Sequence, residues 1–321
     1  MTVNKKKEYY ERLTLPYIDK EGNEKIFIDQ YLQGSGCELE SKFWSINSSS
    51  RMAFDLYSWI VNEPSIMDFQ FEKKLPGVIC SNRGVAGRPN MDVYFETNTH
   101  RIFIESKYTE SATMAYKKGE NPNLSKAYWD INDYGGLSIK ERFYGKSDIA
   151  KEFSDFCTNI QEEIDKFPKN KWKWFDAKQE TCHLFGIIFY LLGATKNEER
   201  GYYCDPNNRH LDKNVCLYNV IWKFNGEEFD VDYDNSLPGI FEKKAKDLVN
   251  TCIESSINTC IESSIQFDFK ILEVQKLRKE TNFHGLDFTK AKAYGLNRLL
   301  ENQMKQYENN QRGGLENTSS L

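Results

Sequence analysis

Two short runs of alternating apolar and polar residues, joined by a polar turn, constrain the fold of this chain most strongly. The runs are MDVYFE, residues 91–96, and RIFIESKY, residues 101–108, and TNTH lies between them. Alternation with a period of two is typical of β-strands, and a short polar connection between two such runs predicts an antiparallel hairpin. The sequence therefore predicts two paired strands whose opposite faces differ in polarity.

The predicted turn decides which residues of the hairpin face each other. Asn98 and Thr99 form the centre of that turn, and counting back along both strands places Asp92 opposite Glu105. Opposed residues share a face, with Cβ atoms about 4.5–5.5 Å apart, and Lys107 shares it because it lies two positions beyond Glu105. Two carboxylates at this distance repel each other unless a cation lies between them. The pattern predicts a Mg²⁺ site here, at which Mn²⁺ substitutes.

The flanking segments predict a mixed α/β fold. Alternating apolar residues on the other face of the hairpin, at 93, 95, 102 and 104, are the predicted core side. The remaining predicted elements are a helix from about Ser48 to Asn62, a strand at 67–75, a helix from about Asp176 to Leu192, a strand at 215–224, a strand at about 266–275 and an amphipathic helix at about 287–307. The order of helix, three-stranded antiparallel meander, helix and strand indicates an α/β layer with the hairpin in its middle.

Composition and charge narrow the functional classes. The net charge of −5 argues against a passive nucleic-acid binder, whose affinity comes from phosphate neutralisation, but it allows an enzyme with a local basic cleft. Neither a secretory signal nor an apolar run of about 18 residues is present, so the sequence predicts a cytoplasmic protein with no membrane contact.

The 8 cysteines include no C-x-x-C pair and are predicted to be reduced thiols. Cys204, His210 and Cys216 offer zinc-binding side chains, but their wide spacing and missing fourth ligand disfavour a zinc site.

The hairpin residues resemble a known signature. Asp92, followed after the turn by Glu105-Ser106-Lys107 and preceded by Pro89, is similar to the motif of the PD-(D/E)xK nuclease superfamily, in its restriction-endonuclease-like branch. The proline lies further from the aspartate than in the strict motif, because two residues intervene. The resemblance covers about 38–225 and implies a restriction-endonuclease-like core with helical decorations.

The resemblance implies metal-dependent hydrolysis of phosphodiester bonds. Asp92 and Glu105 would hold Mg²⁺, together with the backbone carbonyl of Ser106. Lys107 would position or activate the attacking water and offset charge in the transition state. Glu72, on the preceding strand, matches a position at which some members have a further metal ligand, although an ion pair with a neighbouring lysine would explain it equally well.

Other polar residues are weaker candidates for the same site. Gln179 lies near the start of the helix after the hairpin, where related nucleases often carry a glutamine that points into the site, and His183 shares its face one turn later. Basic residues that would contact DNA lie in the loop before the hairpin and in a basic, aromatic stretch: Arg83, Arg88, Lys171 and Lys173.

We therefore expect one nuclease domain over 1–307, with a helical insertion at 110–170, an accessory, recognition or dimer region at 226–307 and a disordered tail at 308–321. The expected activity is that of a type II-like restriction endonuclease that cuts double-stranded DNA. A symmetric site would call for a homodimer, and a cognate DNA methyltransferase would be encoded nearby. The alternatives are a repair or mobile-element nuclease acting on branched or single-stranded DNA, and a non-catalytic DNA-binding relative.

Overall fold

A mixed five-stranded sheet with helices on both faces forms the centre of the protein. The computed structural model describes the following residues: 27, 29–32, 43, 48–76, 79–80, 86–87, 89–107, 147–167, 175–197, 201–222, 233–256 and 265–293. The strands are β1 (Asp68–Lys74), β2 (Ile79–Cys80), β3 (Ala86–Gly87), β4 (Asn90–Glu96), β5 (His100–Lys107), β6 (Ala194–Asn197), β7 (Gly201–Cys204), β8 (Asn214–Ile221) and β9 (Phe267–Glu273). The helices are α1 (Ser49–Tyr57), α2 (Ser147–Lys166), α3 (Ala177–Leu191), α4 (Leu237–Ser256), α5 (Val274–Leu277) and α6 (Lys290–Ala293). Short 3₁₀ turns occupy Ser58–Asn62, Pro206–Asn208 and Tyr233–Asn235.

The main sheet has the strand order β1-β4-β5-β8-β9. Its first three strands pair antiparallel, and β8 and β9 are added in parallel. The strands β2 and β3, and likewise β6 and β7, form separate two-stranded ribbons. The predicted α/β class is confirmed, and the predicted order of helix, three antiparallel strands, helix and strand is present. The edge strand β9 lies in the segment predicted as accessory, so that segment also contributes to the main sheet.

The hairpin between β4 and β5 has the predicted register. Glu96 pairs with Arg101 at the turn, and Val93 pairs with Ile104 three positions further along. The next position along this register brings Asp92 opposite Glu105.

Both faces of the sheet are buried, which differs from the prediction of one apolar and one polar face. The residues at 93, 95, 102 and 104 lie in a core with α1, α5 and α6, as predicted. On the other face, Tyr94 and Phe103 are fully buried in a second core under α2, α3 and α4. The helix α3 covers this face, because most of its residues are buried and apolar. Polar residues on this face therefore lie at the ends of the strands.

Polar side chains fix the starts of α1 and α3. Ser48 Oγ accepts a hydrogen bond from the backbone N–H of Arg51 at 3.0 Å and so caps α1. Asp176 caps α3 in the same way, accepting from the backbone N–H of Gln179 at 3.0 Å. This cap fixes the first turn of α3, which carries Gln179.

Other predicted segments are described only in part. The helix α2 lies within the predicted helical insertion. Of the predicted helix at 287–307, residues 287–293 are described, and α6 begins at Lys290 rather than at 287. The tail at 308–321 lies outside the described residues. Within the described ranges, each helix is too short or too polar to cross a membrane.

Candidate functional site

Polar residues on four neighbouring strands lie in one row across the sheet. Glu72 on β1 lies between the residues that pair with Val93 and Met91, so it is level with Asp92 on β4, although the two residues are not themselves paired. Asp92 in turn faces Glu105 on β5 by the hairpin register, and Glu105 pairs with Asn219 on β8. Glu105 and Asn219 point to the face covered by α3, because they are hydrogen-bonded to Gln179 and Glu180 of that helix. We call these four residues the acidic row.

Asp92 is held by the strand that carries its acidic neighbour. Its Oδ2 accepts a hydrogen bond from the backbone N–H of Ser106 at 2.7 Å. Burial, followed by the negative charges of Glu105 and Glu72, raises the pKa of the Asp92 carboxyl well above its usual value, while Lys107 acts in the opposite direction. A cation bound here would therefore relieve both the desolvation and the repulsion.

Glu105, Lys107 and Gln179 form a closed triangle of hydrogen bonds. Lys107 Nζ donates to Glu105 Oε1 at 2.7 Å and to Gln179 Oε1 at 2.6 Å. Gln179 Nε2 donates to the same Glu105 oxygen at 2.7 Å. The structure thus brings together Asp92, Glu105 and Lys107 and adds Gln179, which was a weaker candidate from sequence.

His183 approaches the second oxygen of Glu105. Its Nε2 lies 3.7 Å from Glu105 Oε2, one turn along α3 from Gln179. The ring is buried, and this burial lowers the pKa of His183. A neutral imidazole can orient the carboxylate without adding a second positive charge beside Lys107.

A buried polar pair behind the triangle was missed from the sequence. Glu180 Oε1 accepts a hydrogen bond from Asn219 Nδ2 at 2.9 Å, and both residues are fully buried. Glu180 Oε2 has no hydrogen-bond partner within the described residues, and it lies 4.0 Å from His183 Nδ1. Burial and the charge of Glu105 raise the pKa of Glu180 well above its usual value. The sequence contained two signals for this pair. Asn219 is the one amide residue in the otherwise apolar strand VCLYNVI, and Glu180 is the one acidic residue in the helix α3.

Glu72 has an unusual backbone conformation. Its φ is +51°, in the left-handed region, and it is the residue at which the pairing of β1 with β4 is interrupted. A residue other than glycine in this conformation costs about 1–3 kcal/mol, and such residues cluster at functional sites. The three carboxylates of Glu72, Asp92 and Glu105 do not place one oxygen each within 4.8 Å of one another. The role of Glu72 as a further ligand therefore stays a prediction.

The donor chemistry of the site fits a hard divalent cation. Asp92 and Glu105 offer carboxylate oxygens, and a carboxylate accepts several bonds at once, so the hydrogen bonds present leave acceptor capacity on both. Mg²⁺ is bound in proteins by one or two carboxylates together with water and substrate phosphate. Two facing carboxylates with a lysine beside them meet that requirement.

The remaining candidates from the sequence are four basic residues and a group of possible zinc ligands. Arg83, Arg88, Lys171 and Lys173, predicted to contact DNA, lie outside the described residues. The group of Cys204, His210 and Cys216 does not assemble: the His210 ring stacks on Tyr190 at 4.2 Å instead.

Comparisons of the chain with protein-family models, with curated proteins and with solved structures find no match.

Proposed function

We propose that this protein is a Mg²⁺-dependent endonuclease that hydrolyses phosphodiester bonds in DNA. The observation that supports this most is the triangle of Glu105, Lys107 and Gln179 beside Asp92, at one end of the central sheet. Two acidic groups and a lysine on one face of a hairpin are what metal-dependent phosphodiester hydrolysis needs, because that reaction requires a metal, an activated water and charge neutralisation.

Asp92 and Glu105 would hold the metal ion, with the backbone carbonyl of Ser106 and the Glu72 carboxylate as proposed further ligands. A bound Mg²⁺ polarises the phosphate and lowers the pKa of the attacking water. Mn²⁺ is expected to substitute, because it accepts the same oxygen ligands.

The other side chains prepare the site for a phosphate group. The hydrogen bond from the Ser106 N–H fixes the direction of the Asp92 carboxylate. Lys107 is held at two points, by Glu105 and by Gln179, so its ammonium group is positioned before substrate arrives. A fixed positive charge at this place stabilises the negative charge that gathers on phosphate oxygens during hydrolysis.

The proposed form of the activity is type II-like restriction of double-stranded DNA. A two-fold symmetric recognition site would be read by a homodimer, because a symmetric protein matches a symmetric duplex. A DNA methyltransferase encoded beside this chain would support restriction over repair. These finer points rest on the resemblance of the hairpin motif and are offered as proposals.

Cleavage of supercoiled plasmid DNA tests the proposal. The wild-type protein should cut with Mg²⁺ or Mn²⁺ and should not cut in the presence of a chelator. Asp92→Asn, which keeps the shape but removes the charge, should abolish cleavage and weaken Mn²⁺ binding measured by titration calorimetry. The matched control is Asp155→Asn, because Asp155 is a half-exposed acid on α2 that forms an ion pair with Lys151.

The pattern of products separates the possible forms of the enzyme. Discrete fragments would support restriction, and cutting that depends on branches or single strands would support a repair enzyme. The absence of cleavage at protein concentrations that clearly bind DNA would refute the enzyme proposal and leave the non-catalytic reading. Cleavage by Asp92→Asn at the wild-type rate would refute the assignment of the site.

A further inference from the structure

A group of nitrogen and sulfur donors lies at the other end of β5 from the acidic row. His100 begins β5, Cys216 lies on β8, and His284 lies in a turn after α5. One ligand atom from each residue lies within 4.8 Å of the other two, and this is the only such group of three in the described ranges. His100 and Glu105 are separated by five positions, or about 16 Å of strand, and therefore lie on opposite faces of the sheet.

We propose that His100, Cys216 and His284 bind a transition-metal ion of the zinc class. Imidazole nitrogen and thiolate sulfur are the ligands that Zn²⁺ prefers, whereas Mg²⁺ takes oxygen. In a tetrahedral zinc site the donor atoms lie about 3.4–3.6 Å apart. Binding would require the donor atoms to approach one another by up to about 1.4 Å, through rotations of the three side chains.

Each imidazole has one ring nitrogen bound to a hydroxyl group. His100 Nδ1 lies 2.8 Å from Thr99 Oγ1, and His284 Nε2 lies 2.7 Å from the Tyr218 hydroxyl. In the proposed site, the second nitrogen of each ring would bind the metal. A hydrogen bond to the remote nitrogen is the usual way in which a ligating histidine is oriented.

The turn that carries His284 is itself tightly fixed. Phe283 and Leu286 exchange backbone hydrogen bonds of 2.8 and 3.0 Å, and the two residues between them, His284 and Gly285, have φ values of +53° and +85°. Two successive left-handed residues closing such a pair are typical of a type I′ turn. Glycine adopts this conformation freely, but for histidine it is uncommon. The turn places the His284 ring 4.6 Å from the ring of His100.

A cavity of about 490 Å³ opens beside the three donors, which form part of its wall. Asp268 also lines it, and it pairs with Cys216 across β8 and β9. Its carboxylate forms ion pairs with Lys270 at 2.7 Å and with Lys246, which also lines the cavity, at 3.7 Å. Three protein ligands leave a fourth position, which the cavity makes accessible to water or to a small ligand. Zinc sites with an open fourth position are those that bind or activate ligands.

Metal titration of the full chain tests this inference without reference to cleavage. The protein is first stripped of metal with a chelator, and the Asp92→Asn variant is used so that the acidic row does not add a second binding event. Co²⁺ should bind as one ion per chain with a thiolate-to-metal charge-transfer band in the near ultraviolet, and Zn²⁺ should displace it. A large excess of Mg²⁺ should displace neither ion.

Matched cysteine variants identify the ligand. Cys216→Ala should remove the charge-transfer band and weaken Zn²⁺ binding by more than the roughly 100-fold that loss of a supporting hydrogen-bond partner costs. Cys157→Ala, the same change at a buried thiol on α2, should leave both unchanged. No saturable binding of Zn²⁺, or a band that persists in Cys216→Ala, would overturn the proposal. If Cys216→Ala does not fold, unchanged Zn²⁺ affinity in His284→Ala would overturn it equally, since that residue lies in a turn.

Discussion

The two ends of β5 differ in donor chemistry, in the face of the sheet and in their surroundings. At its carboxyl end, two members of the acidic row, Glu105 and Asn219, are hydrogen-bonded to Gln179 and Glu180 of α3. At its amino end, two imidazoles and a thiol lie on the other face beside a cavity. Because side chains alternate along a strand, an odd separation of five residues is enough to place oxygen donors and nitrogen or sulfur donors in separate environments. One strand can therefore serve two sites with different metal preferences.

The two ends share one backbone feature. Glu72 and His284 are the two residues other than glycine with positive φ in the described part of the chain, and one lies at each site. Such conformations are maintained only when the surroundings determine them, and they are found preferentially at functional positions. The positive φ values of Glu72 and His284 therefore support a functional role for both sites, independently of the donor atoms at each site.

The largest effect is expected from Lys107 in the carboxylate site. Lys107→Met keeps the length of the side chain but removes its charge, so it should lower the rate of DNA cleavage by about 10²–10³-fold, as loss of a transition-state charge partner does. Lys276→Met is the matched control, because Lys276 is 74% exposed and forms a local ion pair with Glu273. Cleavage rates measured on plasmid DNA decide the matter, and equal losses in both variants would contradict a role for Lys107 at the site.

A smaller effect is expected from Gln179, which holds two groups of the site without being a proposed ligand. Gln179→Ala should lower kcat by about 10-fold and raise the Mg²⁺ concentration needed for half-maximal cleavage, because Glu105 and Lys107 lose a shared partner. Gln161→Ala, on the solvent-facing side of α2, should change neither. A purely structural role for Gln179 would instead lower thermal stability and leave the Mg²⁺ dependence of the remaining activity unchanged.

The carboxylate end of β5 was predictable from sequence because its residues are local. A hairpin with a two-residue turn has one register, so the facing of Asp92 and Glu105 follows from counting. The cap of α3 by Asp176 and the place of Gln179 in its first turn follow from equally local rules. What could not be predicted is the burial of the polar face, since it depends on where α3 packs, and with it the pair of Glu180 and Asn219.

The other end of β5 could not be predicted, since its three donors are distant in sequence. His100, Cys216 and His284 are separated by more than a hundred and by more than sixty residues, and no spacing rule joins them. They meet because β8 pairs in parallel with β5 and because a turn after α5 folds back over the sheet. Cys204, His210 and Cys216 were considered as zinc ligands because they are close together in the sequence. Of these three residues, Cys216 belongs to the observed cluster.

The buried acid behind the carboxylate site predicts a pH effect on stability. Because burial raises the pKa of Glu180, the folded protein binds a proton more tightly than the unfolded chain does. The stability that this group contributes is then fully present below its unfolded pKa of about 4.3, and is lost as the pH rises through the folded pKa. Glu180→Gln keeps the acceptor for Asn219 and removes the titration.

The stability gained by Glu180→Gln over wild type should therefore be larger at pH 8 than at pH 5. Within the titration window the difference changes by up to about 1.4 kcal/mol per pH unit. Urea unfolding at both pH values, with a chelator present, measures it. The prediction is contradicted if the free energies of unfolding of Glu180→Gln and wild type differ by the same amount at pH 5 and at pH 8. Glu180 would then have the same pKa in the folded and unfolded states.

The smallest effect compares the two left-handed residues directly. Glycine relieves the strain of a positive φ but costs about 0.5–1 kcal/mol in conformational entropy, so Glu72→Gly should stabilise the metal-free protein by about 0.5–1 kcal/mol. His284→Gly should stabilise it less, because histidine tolerates this conformation better than glutamate does. Glu72→Gln is the control, since it removes the charge and keeps the strain. If Glu72→Gly weakens Mn²⁺ binding as much as Glu72→Gln does, the strained conformation of Glu72 is maintained for metal binding. If neither variant weakens Mn²⁺ binding, Glu72 is not a ligand.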